Sequence, residues 1–204
     1  MKKKMLKTTR KFIKTGLIMT SFGLITSNAF CGGAITGSIN TDFIKSKGDV
    51  VVYLKGVKGT VTPKQVTVDQ RNFTFIPKVT AISAGSTVVF TNHDTIYHNI
   101  NSKSPAKLFS IDTYDPGTPH PVTFEKSGEV QLLCKVHPEM SGWVIVTDNQ
   151  YAAVTEHDGK FSISDIPEGT YEIAVWSEKL KLQNKTTVTV AEGKTASVVL
   201  QMSN

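Results

Sequence analysis

Cysteine, histidine and methionine recur at three-residue intervals in Cys134-Lys135-Val136-His137-Pro138-Glu139-Met140. Thiolate and imidazole are the soft and borderline donors that hold copper firmly, and a thioether adds a weak third. An ion that cycles between Cu(I) and Cu(II) with little rearrangement needs one geometry acceptable to both states. Two imidazoles and one thiolate in a trigonal set, with a long axial thioether, provide it. The second imidazole must come from elsewhere in the chain. His98 is the candidate, in Thr91-Asn92-His93-Asp94-Thr95-Ile96-Tyr97-His98-Asn99-Ile100, just after the strand-like run Thr87–Phe90. His93 is the alternative, but its neighbour Asp94 reads as part of a solvent-facing turn.

The heptapeptide alone is only moderately specific, because cysteine and methionine also serve as soft buried hydrophobes. A His-Asn pair 36 residues upstream of Cys134 narrows the reading to metal binding. Groups around the ligands matter as well. The backbone N–H of Asn99 and that of Val136 are placed to donate to the Cys134 sulfur. Pro138 has no N–H, and it stiffens the loop between His137 and Met140.

The elements that position these residues read as strands. Val50–Leu54, Thr87–Phe90, Val130–Leu133, Trp143–Val146, Phe161–Ile163, Tyr171–Trp176, Thr187–Val190 and Ser197–Leu200 are β-branched or aromatic runs. Turn signals such as Ala84-Gly85-Ser86, His157-Asp158-Gly159 and Pro167-Glu168-Gly169 separate them. Many short strands with regular turns predict an all-β sandwich class. The segment from Val66 to Val146 has a strand plan of its own, with a looser Pro-rich crossing over Asp112–Pro121. Ala153–Phe161 reads as a hairpin closed by an Asp-Gly turn. His120 reads as a loop residue, His157 as exposed in its turn, and Trp143 as core.

The formal net charge of +6 is misleading. The first 29 residues hold seven of the 23 basic residues and no acid, which leaves 16 bases against 17 acids. A nucleic-acid partner therefore loses its electrostatic support. The same 29 residues read as a signal peptide: a basic start, an apolar run from Leu17 to Thr26, and small residues before a cut after Ala29. That run is too short to span a bilayer, so no integral membrane span is expected after cleavage. A bacterial periplasmic or secreted location follows. Phe30 at the cleavage point argues against lipid attachment at Cys31. Cys31 and Cys134 are the two cysteines, and a disulfide between them would consume the copper thiolate. The near-terminal place of Cys31 favours a free Cys134.

These residues resemble the cupredoxins. Ala84–Asn92 looks like the strand that approaches the first histidine in the amicyanin and plastocyanin-like group, and Tyr97-His98-Asn99 like its first-histidine motif. Cys134–Met140 looks like the short amicyanin ligand loop. The resemblance covers Val66–Thr147 and implies a Greek-key β-sandwich. It implies His98, Cys134 and His137 as equatorial ligands of one copper ion, with Met140 axial. Leu132-Leu133 stands where these families often have an aromatic residue, a departure that bears on packing around the sulfur. Ala34–Ile39 and Asp49–Leu54, joined to Val154–Leu200, look like a carboxypeptidase regulatory-like, transthyretin-type sandwich. The whole arrangement resembles methylamine utilization proteins. The expected domains are a signal peptide at 1–29, a discontinuous sandwich of 32–57 plus 151–202, and a copper domain at 58–150. Two sandwiches in series are the alternative.

The leading expectation is an exported one-electron carrier, not an enzyme, since four protein ligands leave no open position for substrate. A carrier implies redox partner proteins, which the sequence does not specify. Copper delivery without rapid turnover, and a metal-free interaction module, are the competing readings.

Overall fold

The computed structural model describes residues 32–59 and 61–204. The leader and Cys31 lie outside them. Seventeen strands and no helix occur among the described residues. Two open the chain, β1 (Gly33–Asn40) and β2 (Val51–Lys55). Nine follow: β3 (Gln65–Arg71), β4 (Thr74–Ile76), β5 (Val79–Ser83), β6 (Ser86–Asn92), β7 (His98–Ser104), β8 (Lys107–Tyr114), β9 (His120–Phe124), β10 (Gly128–Leu133) and β11 (Ser141–Thr147). Six close it: β12 (Ala152–Val154), β13 (Lys160–Ile166), β14 (Gly169–Trp176), β15 (Lys181–Leu182), β16 (Thr186–Val190) and β17 (Thr195–Ser203).

The middle nine strands form two sheets, ordered β4-β3-β6-β9 and β5-β11-β10-β7-β8. Strand β6 shows why they face each other: Ser86, Val88, Phe90 and Asn92 alternate inward while Thr87, Val89 and Thr91 are less buried. That two-residue period is what a half-buried strand requires. Val68, Phe75, Phe90, Ile100, Phe124, Leu132 and Val144 meet between the sheets, and Cys134 and Met140 belong to the same apolar cluster.

Strands from both sides of this unit build the other sandwich. Its sheets run β13-β1-β17-β15 and β12-β2-β14-β16. β1 lies parallel to β17, with Gly37 opposite Val198, and antiparallel to β13. β2 lies between β12 and β14. Ile35, Val52, Leu54, Phe161, Ile173 and Leu200 fill the core. A third cluster joins the sandwiches: Val51, Val79, Ile145 and Trp176, with Trp143 packed against them. The Trp143 and Trp176 rings lie 5.1 Å apart. Trp143 thus packs at the junction between the sandwiches.

Three local readings change. The Asp-Gly turn at Asp158-Gly159 forms, with Gly159 at φ +86. However, β12 pairs with β2 and β13 with β1, so the turn carries the chain between sheets instead of closing a hairpin. Buried Thr155 explains the crossing: its hydroxyl donates to the Lys47 carbonyl at 2.7 Å and accepts from the Val50 N–H at 3.1 Å. Second, Asp112–Tyr114 and His120–Pro121 belong to β8 and β9, not to a loose crossing. His120 packs its ring 4.3 Å from that of Tyr114. Third, β8 itself has a burial pattern mixed enough to hide it from a search for apolar runs.

Gly37 occupies a crowded place in β1. A Cβ there would lie 2.5 Å from Phe161 Cζ and 2.7 Å from the Val198 carbonyl oxygen. Gly37→Ala is expected to cost about 1–3 kcal/mol, the usual range for overpacking. Urea unfolding of the variant checks it.

Candidate metal centre

The turn between β6 and β7 brings His98 to the end of the inner sandwich, the one built from β3 to β11. Fully buried Asn92 closes that turn. Its side-chain amide donates to the Ile96 carbonyl at 2.9 Å, and its Oδ1 accepts the Asp94 N–H at 3.0 Å. Cys134 directly follows β10, and the loop after it folds back on itself. The Cys134 N–H donates to the Met140 carbonyl at 3.3 Å, and the Met140 N–H to the His137 carbonyl at 2.9 Å. Asn99 then ties loop to strand, because its Oδ1 accepts the Lys135 N–H at 2.8 Å. Asn99 therefore acts here through its side chain, as an acceptor for the residue next to Cys134, and not as the expected backbone donor to the sulfur.

His98, Cys134 and His137 offer donor atoms that all lie within 4.8 Å of one another. Cys134 Sγ is 3.8 Å from Nδ1 of each histidine, and the two Nδ1 atoms are 3.1 Å apart. Bonds of about 2.0 Å to nitrogen and about 2.3 Å to sulfur turn these separations into angles of roughly 120° and roughly 100° at a shared ion. The residues present therefore fit one ion in a near-trigonal His₂Cys set, the donor set of copper electron-transfer sites. Met140 is 1% exposed and lies in the same cluster as Cys134. His98 is fully buried, whereas His137 is partly exposed. His93 stays outside the cluster, more than half exposed, with Nδ1 2.7 Å from Asp69 Oδ1.

Asp94 is the residue that the sequence reading missed. Its side chain is only 12% exposed, and its Oδ2 lies 2.7 Å from His98 Nε2. A proton held on Nε2 leaves Nδ1 free to face the sulfur and the other histidine. The carboxylate also accepts the Asn72 N–H at 2.7 Å and the Phe73 N–H at 3.2 Å. Partial burial pushes the Asp94 carboxyl up, but these bonds together hold it below the ordinary carboxylate range. A carboxylate four residues before a ligating histidine was the available signal, because such histidines commonly hand their second N–H to a carboxylate.

Below the site, fully buried Gln70 donates to the Asn99 carbonyl at 3.4 Å and accepts from the Tyr114 hydroxyl. Burial, then the negative charge of Asp69, pushes the Tyr114 hydroxyl well above the usual tyrosine range. The folded state then keeps a proton that the unfolded chain loses near pH 10. The contribution of Tyr114 to stability is complete below that pH and falls as pH rises above it. Tyr114→Phe is expected to flatten the decline of stability above about pH 10, as urea unfolding across pH can show.

The fold and this donor set define a cupredoxin-type, single-copper domain. Residues 63–147 match the family described as copper binding proteins, plastocyanin/azurin family, and form a domain of that type. Residues 125–198 match the description polysaccharide lyase family 4, domain II, a range that runs from β10 into β17. Similar solved structures include a purple cupredoxin from Nitrosopumilus maritimus, with 28% identity, 41% of this chain and 99% of that chain covered, and TM-score 0.36. A copper-containing nitrite reductase from Thermus scotoductus shows 27% identity over 47% of this chain and 25% of that chain, TM-score 0.40. A reduced amicyanin variant shows 17% identity over 47% of this chain and 98% of that chain, TM-score 0.39. No curated protein matches the chain.

Proposed function

We propose that this chain is an exported one-electron carrier. His98, Cys134 and His137 would hold its copper, with Met140 as the weaker fourth donor. The observation that supports this most is the convergence of three donor atoms at 3.8 Å and 3.1 Å separations, two on buried residues and one on partly exposed His137. Copper supplies a one-electron couple when bound. The protein supplies the rest. The β10 strand and the Asn99–Lys135 bond fix the thiolate, and Asp94 fixes His98. A ligand set held this way has little to rearrange as charge changes.

His137 offers the electron its way in and out. It is the least buried of the three donors, and Val136 beside it is half exposed. In this reading residues 58–150 carry the copper and 32–57 plus 151–202 form the sandwich that holds them. Residues 1–29 direct export to a periplasm or beyond. The redox partners are other proteins, and the molecule itself has no enzymatic turnover.

Visible, EPR and voltammetric measurements on the Cu(II) protein test the proposal. An intense thiolate-to-copper band with fast, reversible redox is expected. A band with slow, irreversible redox assigns the protein to copper delivery instead. Failure to take up copper leaves a metal-free interaction module.

A further inference from the structure

The tight turn between β3 and β4 sits over the copper site for a reason that its local sequence does not supply. Asn72 and Phe73 both adopt left-handed backbone, at φ 52 and 57. Asparagine accepts that conformation; a bulky aromatic residue rarely does. Glycine would be the ordinary choice. The Phe73 ring meets the His137 ring edge to face at 4.9 Å and lies 6.2 Å from that of His98. An unfavourable residue has therefore been kept where its ring covers the more exposed ligand.

The turn is tied to the other ligand by one carboxylate. Asp94 Oδ1 accepts the Asn72 N–H, while Oδ2 receives both the Phe73 N–H and His98 Nε2. A single side chain thus orients His98 and holds the ring that covers His137. We propose that Asp94 and Phe73 form a two-residue cap, which fixes His137 against the copper and keeps small anionic ligands away from the ion's solvent side. Asp94 acts as a positioning residue, and Phe73 as the shield. The proposal rests on the ligand set given above.

Azide titration of the Cu(II) protein, followed by the visible band and by EPR, tests it. Phe73→Gly is the informative variant, because glycine suits the left-handed turn and the protein should fold at least as well as the parent. Its apparent azide affinity is expected to rise about ten-fold or more, with a changed EPR signal, a size set by analogy with the 10–100-fold effects of outer-shell changes on metal sites. Phe73→Tyr, which keeps the ring, should behave as the parent. Asp94→Ala should admit azide as well, through loss of the tether. An azide response in Phe73→Gly equal to that of the parent overturns the cap. A parent without a thiolate band overturns the ligand set and the cap with it, so the two failures are distinct.

Discussion

Cys134→Ser is expected to erase the intense visible absorption of the copper protein and to weaken copper binding by more than the 10–100-fold typical of an outer-shell change. Serine fills nearly the same space, and Cys134 is 3% exposed, so packing changes little. What disappears is the one soft anionic donor in the set, 3.8 Å from each histidine. A second measurement separates chemistry from folding. A ligand that binds only the folded state stabilises it by about 4 kcal/mol at 1,000 times its dissociation constant. The parent should therefore melt at a higher temperature with copper than without, and Cys134→Ser should lose most of that difference while melting normally when metal-free. A variant that kept both the band and the copper-dependent shift would overturn the assignment of the thiolate.

Phe90→Ala should cost about 3–5 kcal/mol. Phe90 is fully buried on β6, and its ring stacks at 6.0 Å on that of Phe109 from β8. It bridges two sheets in the strand that leads into the His98 turn. The lost ring leaves a cavity that strands held by hydrogen bonds on both edges cannot close. Urea denaturation of the metal-free protein gives the value. Because copper held by the proposed ligands would join three points at one end of the same sandwich, the copper-loaded variant should recover part of the loss. A cost below about 1 kcal/mol would mean that the site collapses freely, against the close packing of these sheets.

Much of this was legible in the sequence, for reasons that can be named. Strand periodicity survives in β6 and β10 because one face is more deeply buried than the other, whereas β11 was legible as a short apolar run, buried on both faces from Val144 to Thr147. The ligand residues stood out because their chemistry is rare and their spacing short. Strand β8 was hidden because it is an edge strand with several exposed positions, so burial left little mark on its composition. The crossing after β12 misled for a different reason. A turn sequence specifies the bend but not which sheet the next strand joins, and here that choice rests on Thr155 meeting Lys47 and Val50, which lie far away in the chain. Asp94 was misread because an acidic residue in a turn usually faces water. His98 lies only four residues on, but only the fold brings Asn72 and Phe73 around it as well. Phe73 had no signal of its own, since its role depends on a ring that β10 and the following loop deliver from the other sheet.

The pairing of β2 with β12 sets an order on the birth of the molecule. Tyr53 lies against Ala152, with the entire copper sandwich between them in the chain. An unfolded loop of about 100 residues makes such a meeting slow, because its ends must find each other before any contact rewards them. Once the inner strands have folded, the entry and exit of that unit are held near each other, because the Ser83 hydroxyl donates to the Thr62 carbonyl and Ser83 lies opposite Thr147 where β5 runs beside β11. The inner unit is thus the template on which the outer one closes. In stopped-flow refolding, burial of Trp176 should trail the collapse of the inner core. Any change that slows the inner unit should delay both.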